Sequence, residues 1–226
     1  SASLYGTSLA PGIPHEGNNA SLPEVSDPFF GGHWAQLNAV DSRAIFAALS
    51  SGPVNGVQLF SLDSAGKLDY TSSPVDNSFS NEFFALATND YDSDSTDEII
   101  LGSHMLIYGY LTAYDYLNEM NEWTSASQIG DPRAIVTSEV NNDGIDDVVV
   151  IMQAQSGPDV MLQSYDGASG TLIGSILLSA FPATDIGVAD LDNDQRNEII
   201  IVIDQTVSVY GPDSNGMLAL EGSVNV

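Results

Sequence analysis

With 31 acidic residues against 4 basic ones in 226 positions, the chain carries a formal charge of −27. That balance excludes nucleic acid as a partner, because binding a polyanion gains from lysine and arginine neutralising phosphate, and Arg43, Lys67, Arg133 and Arg196 are the whole basic inventory. Binding or insertion at an anionic membrane is disfavoured for the same reason, no run approaches the roughly 18 apolar residues of a membrane span, and the lack of cysteine removes disulfides, thiol catalysis and cysteine-bound zinc.

Residues 1–33 come first, and with Pro11, Pro14, Pro23 and Pro28 among several Gly and Asn they read as an extended N-terminal arm, of the kind a partner orders. The start at Ser1-Ala2-Ser3, without methionine, suggests a processed end. Asn19-Ala20-Ser21 is a lone glycosylation sequon, a pattern common by chance. From residue 34 the chain repeats. Three segments share one layout: Ala85-Leu86-Ala87-Thr88 leads through Asp90 to Glu98-Ile99-Ile100-Leu101, Ile135-Val136-Thr137 through Glu139 to Asp147-Val148-Val149-Val150, and Ile186-Gly187-Val188-Ala189 through Asp190 to Glu198-Ile199-Ile200-Ile201. The acidic loops start at 90, 139 and 190, steps of 49 and 51 residues.

One period before Asp90 lies Val40-Asp41, where Trp34-Ala35-Gln36-Leu37 and Ile45-Phe46-Ala47-Ala48-Leu49 flank a loop too short for the acidic motif. Ser51-Gly52-Pro53 resembles Ser156-Gly157-Pro158 two periods on, which supports the register. Within each repeat, short Ile/Val/Leu runs bounded by Gly, Asn, Asp and Ser read as strands and turns. The order is a strand, an acidic loop, a very apolar strand, a turn, a third strand such as Met105 to Tyr110 or Val207 to Tyr210, and a weaker fourth.

Four strands in about fifty residues describe a propeller blade. The expectation is therefore an all-β, β-propeller-like fold of about four four-stranded blades, at 34–82, 83–132, 133–183 and 184–226, behind the arm. A continuous run such as Ile199-Ile200-Ile201-Val202-Ile203 suits a strand buried on both faces, as stacked blades require. A β-sandwich is the alternative, since its strands also recur at short intervals.

The chemistry lies in the loops. Asp90, Asp92, Asp94 and Glu98 occupy positions one, three, five and nine; Asp190, Asp192, Asp194 and Glu198 repeat them, and Glu139, Asn141, Asp143 and Asp147 give a softer version. Alternate acidic positions in a tight loop converge oxygens on one point, an arrangement suited to calcium, which takes six to eight oxygens in flexible geometry. Backbone carbonyls at position seven, from Thr96, Ile145 and Arg196, are further candidate ligands. Three calcium sites are thus expected, with magnesium and zinc less suited. Each loop runs into a β-branched strand where an EF-hand would run into a helix. Five carboxylates in the first loop, at Asp90, Asp92, Asp94, Asp97 and Glu98, repel one another until a cation offsets them, so the role expected of the metal is structural.

These loops resemble the Asp-x-Asp-x-Asp-Gly-x-x-Asp signature of FG-GAP and VCBS-type repeats, found in integrin α-chain propellers and many bacterial surface proteins. The resemblance spans roughly residues 34–226 and implies a propeller with calcium between the first two strands of a blade. Gly144 alone supplies the family's glycine at position six; Ser95 and Gln195 replace it elsewhere. Phe30-Gly31 is present without the Gly-Ala-Pro that should follow.

No nucleophile, base and orienting group fall together, so an enzyme is not expected. His15, His33 and His104 are scattered, with His104 in the turn after an apolar strand, and Gly167-Ala168-Ser169-Gly170 reads as a hairpin turn. The function expected is an extracellular or cell-surface, calcium-binding structural or adhesive protein whose partners are surface proteins or further copies of itself, joined through the arm and open sheet edges. A carbohydrate-binding module, with Trp34, Trp123 and the tyrosines stacking on a glycan, is the second reading. A polysaccharide-cleaving enzyme with paired carboxylates is the third.

Overall fold

Among the described residues, β-branched runs punctuated by turn residues form seventeen strands and no helix. The computed structural model describes residues 34–40, 43–50, 56–62 and 68–71, then 82–226 apart from 93, 106–107, 116–117, 155–158, 179–182, 195, 204, 214–215 and 226. The arm, Phe30-Gly31, the sequon, His15, His33, Gln195 and both Ser-Gly-Pro segments lie outside that set.

The strands form four antiparallel sheets, each a meander in which sequence neighbours pair. The first holds β1 (Trp34–Val40), β2 (Arg43–Ser50), β3 (Gly56–Leu62) and β4 (Leu68–Thr71). The second holds β5 (Glu82–Asn89), β6 (Glu98–Met105), β7 (Tyr108–Asp115) and β8 (Met120–Thr124), with the two-residue β9 (Gln128–Ile129) added to β7. The third comprises β10 (Asp131–Ser138), β11 (Asp147–Gln153), β12 (Val160–Tyr165) and β13 (Leu172–Leu178); the fourth comprises β14 (Ala183–Ala189), β15 (Glu198–Ile203), β16 (Thr206–Pro212) and β17 (Leu218–Asn225). Among the described residues, three sheets thus have four strands and one has five, and the row of sheets does not close into a ring.

Stacking follows the first strand of each sheet: β1 runs beside β5, β5 beside β10 and β10 beside β14. One core layer fills the space between the second and third sheets, where Ile100, Leu111 and Ala113 meet Ile135, Val148 and Val150. A second layer lies between the third and fourth, where Val149, Ile151 and Leu162 meet Ile199, Ile201 and Ile203. Alternate residues of β11 therefore feed different layers, and the strand is buried on both faces. At about 1.5–3 kcal/mol for each fully buried valine or isoleucine, these two layers are the main source of stability. The second and third sheets also approach closely at Gly102, where a Cβ would stand 2.8 Å from that of Pro132.

Three details differ from the sequence expectations. Strand β6 continues to Met105, pairing His104 with Gly109, so His104 lies in a strand and not in the following turn. It sits 3.3 Å from the buried Asp131, which Arg133 also contacts at 2.9 Å. The third strand of the second sheet correspondingly starts at Tyr108 and not at Met105. Of the five aliphatic residues of β15 only Ile199, Ile201 and Ile203 are buried; Ile200 and Val202 stay half-exposed because no sheet covers that face among the described residues.

Candidate metal-binding loops

Each acidic loop joins the first two strands of its sheet and is shaped by its own side chains. Asp, Asn and Ser favour such turns because their oxygens accept from backbone N–H groups a few residues on. In the loop between β5 and β6, Asp90 accepts from the backbone N–H of Asp94 (3.1 Å) and Ser95 (3.0 Å), Asp92 from Asp94 (2.9 Å) and Asp94 from Thr96 (2.7 Å). The loop between β14 and β15 repeats this: Asp190 and Asp192 accept from the N–H of Asp194 (3.2 and 3.1 Å) and Asp194 from that of Arg196 (2.8 Å). Between β10 and β11, Glu139 accepts from Asn142 and Gly144 (2.5 Å each), Asn141 from Asp143 (2.9 Å) and Asp143 from Ile145 (2.8 Å).

Position nine closes each loop from below. Glu98 accepts from the Tyr91 N–H (2.7 Å), Glu198 from that of Leu191 (2.6 Å), and Asp147 from those of Val140 (2.9 Å) and Asn141 (3.0 Å). All three carboxylates are buried. Burial pushes Glu98 up to about 8 and Asp147 up to about 6, with Asp147 held lower by backbone N–H groups of Val140, Asn141 and Gly167.

The sequence places side-chain oxygens at positions one, three and five of the three loops, and the structure brings the six aspartates of the outer two together in two trios. In the trio Asp90, Asp92 and Asp94, one carboxylate oxygen from each lies within 4.8 Å of the others, and Asp190, Asp192 and Asp194 form the same arrangement. Oxygens on opposite sides of a calcium ion stand about 4.6–5.2 Å apart, given ligand distances of 2.3–2.6 Å, so both trios fit that ion. The trios are largely solvent-facing, leaving room for water ligands. Glu98 and Glu198 lie at the loop bases outside the trios, and Thr96, Ile145 and Arg196 enter the hydrogen-bond pattern through their N–H groups.

The middle loop is arranged differently. The Asn141 carbonyl oxygen accepts from Asp143 N–H, which fixes the amide orientation and turns Nδ2 towards carboxylates. The two N–H bonds of that nitrogen are shared among Asp143 (3.0 Å), Asp147 (3.2 Å) and Asp166 (3.3 Å). Asp166 comes from the β12–β13 hairpin, where Gly170 N–H returns to its carbonyl. Its reach to a loop 25 residues earlier has no signal in the sequence, where the adjoining Gly167-Ala168-Ser169-Gly170 reads only as a hairpin turn.

The first two loops also touch each other across the sheet boundary. Asn89 donates to Asp146 at 2.9 Å, while within the second sheet Tyr91 meets the edge of Trp123 at a centroid distance of 6.4 Å. Trp123 donates to the Gly167 carbonyl at 2.7 Å and its ring packs on Gly170, which adopts φ 66. Trp123 is thus a packing residue that ties the second sheet to the third, and its side chain is only half-exposed.

Residues 139–220 match the family model of the FG-GAP-like repeat, so the resemblance carried by the loops at 139 and 190 is shown there. No curated protein matches the chain. Among solved structures, the exotype rhamnogalacturonan lyase YesX is similar with a TM-score of 0.48 and 10% identity, over 87% of this chain and 50% of that one. The chain thus spans half the length of that lyase, at a likeness too distant to assign a fold or an activity.

Proposed function

We propose that this chain is a calcium-stabilised, propeller-type repeat module of an extracellular or cell-surface protein, serving as a rigid platform for protein contacts and not as an enzyme. The convergence of Asp90, Asp92 and Asp94, and again of Asp190, Asp192 and Asp194, is the observation that carries this reading. The FG-GAP-like repeat supports it, as does the first-strand-to-first-strand stacking, which is how blades follow one another around an axis. The metal acts on stability. Bound calcium would be held by the two Asp trios and would offset their mutual repulsion; the chain's own part is to pre-form each loop through the backbone hydrogen bonds to its carboxylates. The middle loop takes calcium last, because Asn141 already places an N–H donor among its carboxylates.

The test is thermal unfolding in millimolar calcium and again in chelator. Calcium at a hundred times its dissociation constant stabilises by about 2.7 kcal/mol per site. Two sites then raise Tm by roughly 10–20 °C in a chain of this size. D92N and D192N, which keep the loop hydrogen bonds and remove one charge each, should each abolish about half of that shift. Melting that is indifferent to chelation would refute the reading.

A further inference from the structure

Position two of the three acidic loops, between the side chains of positions one and three, is held by Tyr91, Val140 and Leu191. Their surroundings differ: Tyr91 is 1% exposed, Val140 2% and Leu191 55%. The first two are covered by the hairpin that joins the third and fourth strands of the next sheet. Gly167, in the β12–β13 hairpin, lies so close to Tyr91 that a Cβ there would stand 2.5 Å from the ring and overlap the Asp146 carbonyl oxygen. Gly216, in the β16–β17 hairpin, lies in the same way against Val140 and Asn141, with a Cβ 3.1 Å from the Val140 carbonyl oxygen and 3.0 Å from the Asn141 Cα. Leu191 faces solvent.

Tyr91 is tied on both sides of the sheet boundary. Its N–H donates to Glu98 at the base of its own loop (2.7 Å), and its ring packs on Gly167, whose N–H donates to Asp147 at the base of the middle loop (3.2 Å). Trp123 closes on the same point, edge-on to Tyr91 and donating to the Gly167 carbonyl, and the neighbouring Asn89 donates to Asp146. Asp90 and Asp92 flank Tyr91 in the chain and belong to one carboxylate trio. Drawing them onto a single ion therefore fixes the backbone that carries the Tyr91 ring onto Gly167. In the last loop the same closure between Asp190 and Asp192 fixes only the exposed Leu191.

We propose that Tyr91 is a positioning residue that couples ion binding in the first loop to the docking of the third sheet on the second, a coupling that the last loop lacks. This rests on the calcium reading above and says what one of the two ions does. Linkage makes the coupling reciprocal: an ion in the first loop orders the 166–170 hairpin, and the docked hairpin pre-orders the loop for its ion. The ring carries the contact, since the Tyr91 hydroxyl has no hydrogen-bond partner among the described residues.

Amide hydrogen exchange of residues 166–170 in calcium and in chelator, with calorimetric calcium titration of the same samples, tests this on the full chain. Calcium should slow exchange in that hairpin in the wild type and in D192N, and leave it unchanged in D92N. In the D192N background, where the first loop is the tight site left, Y91L should weaken calcium binding at least about fivefold, the lower end of coupling between sites, and Y91F should bind as D192N alone does. The comparison of D92N with D192N does not depend on how well Y91L folds. Slowing that persists in D92N, or that is lost equally in D92N and D192N, would overturn the coupling, the latter by showing that the ions stabilise the whole chain alike. So would a Y91L variant that binds calcium as tightly as its parent. Calcium uptake without any change in hairpin exchange removes the coupling and leaves the metal role standing, whereas no uptake removes both.

Discussion

The loops at 90 and 190 and the loop at 139 begin from nearly the same nine-residue pattern and solve one electrostatic problem in two ways. The outer two gather three aspartate oxygens within 4.8 Å of one another and offset them with backbone N–H donors, with no side-chain amide among the described donors. The middle loop lengthens one carboxylate to Glu139, replaces another by Asn141 and lets that amide donate to Asp143, Asp147 and Asp166. A single amide thus stands where the other loops hold charge. The general lesson is that a metal-loop spacing specifies where oxygens go, while one neutral residue at position three decides how much the loop needs an ion.

The largest effect on this contrast should come from N141D. In chelator the new carboxylate faces Asp143, Asp147 and Asp166, and one amide donor shared among three carboxylates is exchanged for a fourth like charge, at a cost of about 1–3 kcal/mol. Tm in chelator should fall accordingly, and in calcium the variant should recover and bind one more ion than the wild type. A variant that is indifferent in chelator would mean that the Asn141 amide contributes nothing.

Next in size is pH. Glu98 stands at about 8 and Asp147 at about 6, each raised by burial above its ordinary carboxylate value. The folded, metal-free chain therefore holds protons that the unfolded chain has released, and its stability falls as pH rises from about 4.5 to 8. The outer loop drives the upper part of that window and the middle loop the lower part. Melting in chelator at pH 6 and pH 8.5 should show the loss, and calcium should flatten it by favouring the ionised carboxylates.

The smallest effect belongs to S95G. Ser95 occupies position six with φ 75, the left-handed region that Gly144 occupies at φ 90 in the middle loop. Glycine there relieves about 1 kcal/mol of backbone strain. The variant should melt slightly higher and bind calcium more tightly in the first loop alone.

Much of this was legible in the sequence. The repeat spacing and the Ile/Val runs located the loops and the strands after them, since both are local patterns with a period. The six convergent aspartates follow from alternation within a tight loop, and the glycine that the family pattern has at position six, where this chain has Ser95, matches the positive φ there. What lay hidden was non-local. Asp166 reaches Asn141 from a later hairpin, Asn89 reaches Asp146 across 57 residues, and His104 meets Asp131 only through the stacking of two sheets. The half-exposed face of Ile200 and Val202 was hidden for the same reason, since a run of five aliphatics looks alike whether one sheet or two will cover it.

Calorimetric titration of calcium into the chelator-treated chain tests the central claim most directly. Two tight ions, one lost in D92N and one in D192N, with any third binding far more weakly, is the result this account predicts. Three equal sites would erase the distinction between the outer and middle loops, and no uptake at all would contradict the metal role of the aspartate trios.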